Sequence, residues 1–235
     1  MATLEALRVV IVGSEGDQGI VKDKSYSTGI NDRINDAVSA IAGGIRLPNG
    51  EMSPPLPDLY SSGTVNTSIT LPYVALPATY QRGLFMVSDS SGNQIYGPNG
   101  YYSFNLFLRS ASDKKLAQAG AISSACVRGS KIYYQGIPSA AETLTLHFYR
   151  LPVDMTDNTD KVDGIPLHLQ KRLIQHYVAK EIYGEGIEEN YNGQATQYHT
   201  AKFFEAMNEL IDFIGIDAQP EYYGEDYSGD LGVCD

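Results

Sequence analysis

The sequence predicts an α+β fold: a helical bundle of about four helices, a β-rich insertion, and an extended acidic C-terminal tail. Three observations predict it. Apolar residues recur at helical spacing near both ends of the chain. Between them, short runs alternate apolar and polar residues and are punctuated by Gly, Pro, Asn and Ser. The last stretch, DAQPEYYGEDYSGDLGVCD, has no apolar period and carries six acids and no base. The segments divide as 1–46 (N-terminal helices), 47–153 (β-rich insertion), 154–216 (C-terminal helix pair) and 217–235 (tail).

A first short helix is expected over residues 3–12. Thr3 serves as its cap, and Leu4, Leu7 and Ile11 lie on one face. GSEGDQG (13–19) is a loop. In the next helix Ile30, Ile34, Val38 and Ile41 form the stripe, Ser27 or Thr28 can cap it, and Gly43 and Gly44 end it. The proline-rich LPNGEMSPPLPDLY cannot stay helical.

Two hairpins follow, one over Leu84–Tyr96 with Ser91, Gly92 and Asn93 in the turn, one around Gly129-Ser130. YSFNLFLRSASDKKLAQ (102–118) fits either strand or helix. ETLTLHFYRLP is a strand with Leu144, Leu146 and Phe148 on one face. In the C-terminal helices, Leu169, Leu173 or Ile174, Tyr177 or Val178, and Ile182 form one stripe, with Leu169, Leu173, Val178 and Ile182 expected to face the bundle. Tyr198, Ala201, Phe204, Met207 or Leu210, Ile211 and Ile214 form the other. Each helix has one apolar face, so the helices pack together and the β segment is an excursion from their bundle.

A formal charge of −11 and a pI near 4.7 argue against a protein that grips nucleic acid through basic patches. They do not exclude one that DNA merely passes. Cys126 and Cys234 give no disulfide framework and fit a reducing compartment. The run Val9–Val12 is too short to span a bilayer, and no later run is long enough, so neither a signal peptide nor membrane contact is expected.

The chemistry-bearing residues form no catalytic pattern. His168 and His176 are two helical turns apart, with no acid between them, so no metal is expected. GSEGDQG lacks the Lys-Ser/Thr of a phosphate loop, and no G-x-S-x-G occurs. No pair of acids is spaced for acid–base work, and Cys126 lies in an alternating strand where a packed thiol is inert. No cofactor is expected. HLQKRLIQHYVAKEIYGEG (168–186) reads as a packing helix, with His176 at an interface or in the core. The tail reads as disordered when free, with Pro220, Tyr222, Tyr223, Tyr227 and Leu231 as anchors that order against a partner.

Three stretches carry a resemblance. TLEALRVVIVGSEGDQGI…YSTGINDRINDAVSAI opens with a short helix, an acidic glycine loop and a helix whose core is Ile30, Ile34, Asn35, Ala37, Val38 and Ile41. ETLTLHFYRLPVDMTDNTDKVDGIP is a strand ending at Tyr149, Arg150 and Pro152, then an acidic linker. LHLQKRLIQHYVAKEIY…YNGQATQYHTAKFFEAMNEL has the paired helices, marked by Ala179, Ile182, Tyr183, Tyr198 and Phe203 or Phe204. In this order they are similar to the head–tail connector, or adaptor, proteins of tailed bacteriophages. The resemblance implies a homo-oligomeric ring, usually of about twelve copies. It implies stacking on the portal protein, contact with the next tail or neck component, and genomic DNA passing through the lumen without sequence-specific binding. It also implies a place in the virion neck after assembly in the host cytoplasm, and no enzymatic activity. An acidic lumen suits passage, because basic contacts to phosphate would brake the DNA.

Two other readings stand beside this one. A tail-completion or terminator ring also combines strands with helices, and stoichiometry separates it from an adaptor. An enzyme of unrecognised mechanism would lose activity on replacement of Cys126 or His176 with folding intact.

Overall fold

The computed structural model describes residues 2–13, 29–96, 104, 107–108, 116, 118–184 and 193–215. It is α+β: among the described residues, four α-helices accompany two antiparallel sheets. The chain divides into two compact units. One combines Met1–Leu59 with Leu151–Ala218 and holds these four helices; the other includes Tyr60–Arg150 and holds the strands together with the helical residues Phe104, Phe107 and Leu108.

In the helical unit, α1 spans Leu4–Val12 and α2 spans Ile30–Gly43. Thr3 caps α1, its hydroxyl accepting from the Ala6 amide at 3.3 Å, and Leu4, Leu7 and Ile11 are buried. The cap position of α2 is Gly29, in the left-handed conformation and without a side-chain cap bond; Ser27, Thr28 and the loop 14–19 lie outside the described residues. Ile30, Ile34, Val38 and Ile41 are buried along α2.

The long helices are α3, Leu167–Gly184, and α4, Gly193–Ile214. They run antiparallel, as the contacts His168–Phe213, Arg172–Glu209 and His176–His199 show. On α3, Leu169, Leu173, Val178 and Ile182 are buried, together with Gln170, Ile174, His176 and Ala179. The buried row of α4 is His199, Phe203, Ala206, Met207, Leu210 and Ile214. This corrects the expected stripe: Tyr198 and Ala201 are exposed, and Phe204 and Ile211 are only half-buried. Adjacent apolar pairs, Phe203-Phe204 and Leu210-Ile211, leave the phase of a 3.6-residue period undetermined. The polar His199, which belongs to the buried row, disguised it.

Side-chain amides tie the linker that follows the strands to the helices. Asn35 on α2 donates to the Met155 carbonyl and accepts from the Met155 amide, both at 3.0 Å, as a backbone pair would. Buried Gln170 donates to the Ile165 carbonyl and accepts from the Ala2 amide, both at 2.7 Å. The backbone before α1 pairs with the same linker through Leu4 N–H to Asp160 O and the Thr3–Lys161 bridge. A buried amide side chain satisfied at both ends fixes one register where apolar contact alone permits several.

In the β unit, strands β1 (Tyr60–Asn66), β7 (Thr143–Arg150), β3 (Tyr80–Ser88) and β4 (Gln94–Tyr96) form one sheet in that order. Strands β2 (Tyr73–Ala75), β6 (Lys131–Gln135) and β5 (Ser124–Arg128) form the other. Their inner faces share a core that includes Leu84, Val87, Ala125, Ile132, Tyr134, Leu144, Leu146 and Phe148. The alternation of β7 places Leu144, Leu146 and Phe148 inward, as its sequence predicts.

Both expected hairpins form. In the β3–β4 turn, Asp89 accepts from the Asn93 side chain and from the amides of Asn93 and Ser91; the Asn93 side chain, then the amides, hold its carboxyl below the usual range. Buried Tyr134 anchors the loop before β2: its hydroxyl accepts from Ser68 N–H at 2.7 Å and donates to Leu71 O at 2.8 Å. Most of the ambiguous stretch 102–118 lies outside the described residues.

Candidate functional site

Three groups of side chains carry distinctive chemistry. The first lies between α3 and α4. His176 Nδ1 and His199 Nδ1 are 2.9 Å apart, and both residues are buried. One nitrogen donates and the other accepts, so at most one of the two rings can carry a proton on both nitrogens. Tyr183 stacks on His199, Tyr198 meets both rings edge-on, and Gln175 approaches His176 Nε2 at 3.3 Å.

Burial lowers His176 to about 4, reinforced by His199, Arg172 and Lys202 and opposed by Glu205; burial also lowers His199. Arg172, Glu205, Glu209 and Lys202 form an exposed ion network on the same helix pair. Solvated pairs of this kind stabilise little, because water and salt screen them. The histidine pair has the opposite character, being dry and sensitive to protons.

That arrangement sets a pH dependence. Between the ordinary histidine value of 6.5 and the folded value of about 4 for His176, the unfolded chain takes up a proton that the folded chain refuses. Stability therefore holds above pH 6.5, falls as pH drops through that window, and stops responding to this group below about 4. At about 1.4 kcal/mol per pH unit this window sets an upper bound of about 3.4 kcal/mol, which solvent screening of the rings lowers. Thermal melts from pH 7.5 to 4 measure it. A His176→Leu/His199→Leu double variant, which removes both polar partners, should flatten that slope.

The second group lies on the outer face of the four-stranded sheet. Tyr60, Phe85, His147 and Tyr149 form a continuous ring cluster, with centroids 5.7–6.1 Å apart. Tyr60 Oη and His147 Nδ1 are 2.7 Å apart. Gly83, at φ 64, lies beneath the Tyr149 ring: a Cβ there would come within 2.8 Å of Tyr149 Cδ2. Burial pushes the Tyr149 hydroxyl up to about 12, against the opposing charge of Arg82.

The third group lies at the hairpin end of the face of the three-stranded sheet that bears Tyr133; the rest of that face is covered, with Cys126 and Gln135 buried and Gln135 donating to the Phe107 carbonyl at 2.7 Å. Tyr73 and Tyr133 are cross-strand neighbours with rings 5.3 Å apart, and Phe104 meets Tyr133 edge-on at 4.9 Å. Lys131 Nζ sits 4.1 Å over the Tyr73 ring, and the Arg128 guanidinium 4.6 Å over Phe104. Arg128 and Lys131 are also directly opposite each other at the end of the β5–β6 hairpin.

Charge is divided in the same sense. Residues 60–150 hold seven Lys and Arg against three Asp and Glu, a formal +4. The rest of the chain holds ten against twenty-five, a formal −15. The total of −11 hides this division, which shows only when charge is counted segment by segment.

None of these groups is arranged as a nucleophile with its base. Burial pushes the Cys126 thiol up to about 11, where almost no thiolate exists at neutral pH. Among the described residues, no three His, Cys, Asp or Glu side chains are grouped to hold a metal ion. No helix among them is long and apolar enough to cross a membrane. His176 is buried against α4, while Pro220, Tyr222, Tyr223, Tyr227 and Leu231 lie outside the described residues.

A family model described as SU10 adaptor protein matches residues 6–226, a span that takes in both units and about half of the acidic tail. No curated protein matches the chain.

Proposed function

We propose, because this chain belongs to the SU10 adaptor protein family of phage head–tail adaptors, that it forms a ring bound below the portal, joining capsid to tail and enclosing part of the DNA channel. The family match over nearly the whole chain carries this reading. In the proposal about twelve copies stack on the portal and present their far side to the next tail or neck component. The genome passes through without sequence-specific contact. The charge of −11 per copy supports a conduit rather than a DNA-binding surface, since acidic walls repel phosphate.

The segment 217–235 is the proposed interface element, facing the portal or a neighbouring subunit. Pro220, Tyr222, Tyr223, Tyr227 and Leu231 are its anchors, because aromatic side chains supply much of the energy of small interfaces. His176 contributes indirectly, by fixing α4, the helix from which the tail departs. Truncation after Asp217 tests the proposal. The shortened chain should keep its melting temperature and fail to co-assemble with portal in a pull-down; a truncated chain that joins portal as well as the full chain would remove it.

A further inference from the structure

We propose that the hairpin end of the three-stranded sheet, where Arg128, Lys131 and Tyr73 border the Tyr133–Phe104 ring pair, is the receptor for the acidic tail 217–235 of a neighbouring copy. This inference rests on the reading above that the tail is an interface segment, and names the surface that takes it.

The face has the chemistry of an anion receptor. Like charges directly opposite on neighbouring strands repel, yet Arg128 and Lys131 are paired this way in the β5–β6 ladder. Neither makes an ion pair with a described residue. Each instead lies over an aromatic ring, which holds the cation in place without neutralising its charge. A ligand with carboxylates relieves the repulsion, and one with aromatic rings extends the Tyr73–Tyr133–Phe104 cluster.

The tail carries both. Tyr222, Tyr223 and Tyr227 alternate with Glu221, Glu225, Asp226 and Asp230, and no base interrupts them. A segment of −6 meets a unit of +4 within a chain that is otherwise strongly acidic. Twenty residues follow Gly215, which extend to at most about 70 Å, enough to reach an adjacent copy. A contact between different surfaces of identical chains is head-to-tail and closes into a ring when its rotation closes. Nucleic acid is the competing polyanion, disfavoured because −15 of formal charge outside this unit repels it.

Photo-crosslinking of the full chain tests the proposal. A benzophenone amino acid replaces Tyr223 in unlabelled chains, which are mixed with 15N-labelled chains. Adducts should join labelled to unlabelled chains on peptides containing Tyr73, Lys131 or Tyr133. Raising the salt concentration should lower their yield.

Arg128→Glu with Lys131→Glu should cut the yield by about tenfold, and adding Glu225→Lys with Asp226→Lys should restore it. The tail substitutions alone, which leave the β unit untouched, should lose it equally, so misfolding of the sheet cannot produce the result. Adducts within one chain, adducts elsewhere, or insensitivity to the charge reversal would overturn the inference. So would a duplex-DNA gel shift that the charge reversal abolishes while the adducts persist. Absence of adducts together with loss of portal co-assembly on truncation would remove this receptor and leave the proposed function standing.

Discussion

Replacing Gly136 with alanine is expected to unfold the β-rich unit while the helices survive. Gly136 has φ 89, and a Cβ there would lie 2.2 Å from the Ala121 carbonyl oxygen and 2.8 Å from its carbon. That neighbour is backbone held on both sides: Gly120 donates to Ile137 O, Ile137 donates to Gln118 O, and Ser123 donates to Gln135 O. The clash cannot be relieved by turning a side chain. The left-handed conformation alone costs about 1–2 kcal/mol for a non-glycine residue. Displacing the crossing strand adds to it, for a total loss of at least about 3 kcal/mol.

Gly92 is the matched control, with φ 83 and nothing within 4 Å of its Cβ position. Its alanine variant should lose only the conformational term, about 1–2 kcal/mol. Hydrogen exchange separates the outcomes. In Gly136→Ala, amides of β5 and β6 should lose protection while those of α3 keep theirs. Equal effects of the two alanines would show that the crossing at Gly136 is not held as described.

The second large effect is expected from Phe203→Ala. Phe203 is fully buried on α4, with its ring 5.4 Å from that of Tyr177 in an edge-on arrangement and Lys180 above it. Removing a buried ring from a helix pair costs about 3–5 kcal/mol through lost transfer energy and the remaining cavity. Phe204→Ala, one residue along, should cost much less, because that side chain is only half-buried. Urea denaturation of the two variants measures the difference directly. A larger loss for Phe204→Ala than for Phe203→Ala would mean that α4 packs in the phase expected from the sequence.

That comparison bears on how much of the molecule is legible in its sequence. The helices α1, α2 and α3 are, because Leu4, Leu7 and Ile11, then Ile30, Ile34, Val38 and Ile41, then Leu169, Leu173, Val178 and Ile182 recur at helical spacing, although the doublets Leu173-Ile174 and Tyr177-Val178 leave the exact face of α3 open by one position. The face of α4 is not, because doubled apolar residues flank the true row and a histidine occupies it. The buried pair His176–His199 is equally hidden: its members are 23 positions apart, and only the antiparallel pairing of two helices joins them.

Strand β7 and both hairpin turns are visible from alternation and from Gly92 and Gly129. Strand β1, YSSGTVN, is not. It has little apolar content, and it forms because β7 supplies a full ladder of partners from Tyr149 to Thr143. The cation–aromatic face of the three-stranded sheet is illegible for the same reason. Tyr73, Arg128 and Lys131 come together only through strand pairing, and Phe104 through a segment of no clear period.

Family membership follows from the pattern at both ends of the chain together with the match across the segment between them. The ring itself is the central claim. The most direct test is the copy number of this chain in purified particles, by quantitative peptide mass spectrometry against the portal protein. The account predicts about one copy per portal subunit, the stoichiometry of a ring stacked on the portal with matching symmetry. A many-fold excess over portal, or absence from the particle, would contradict it.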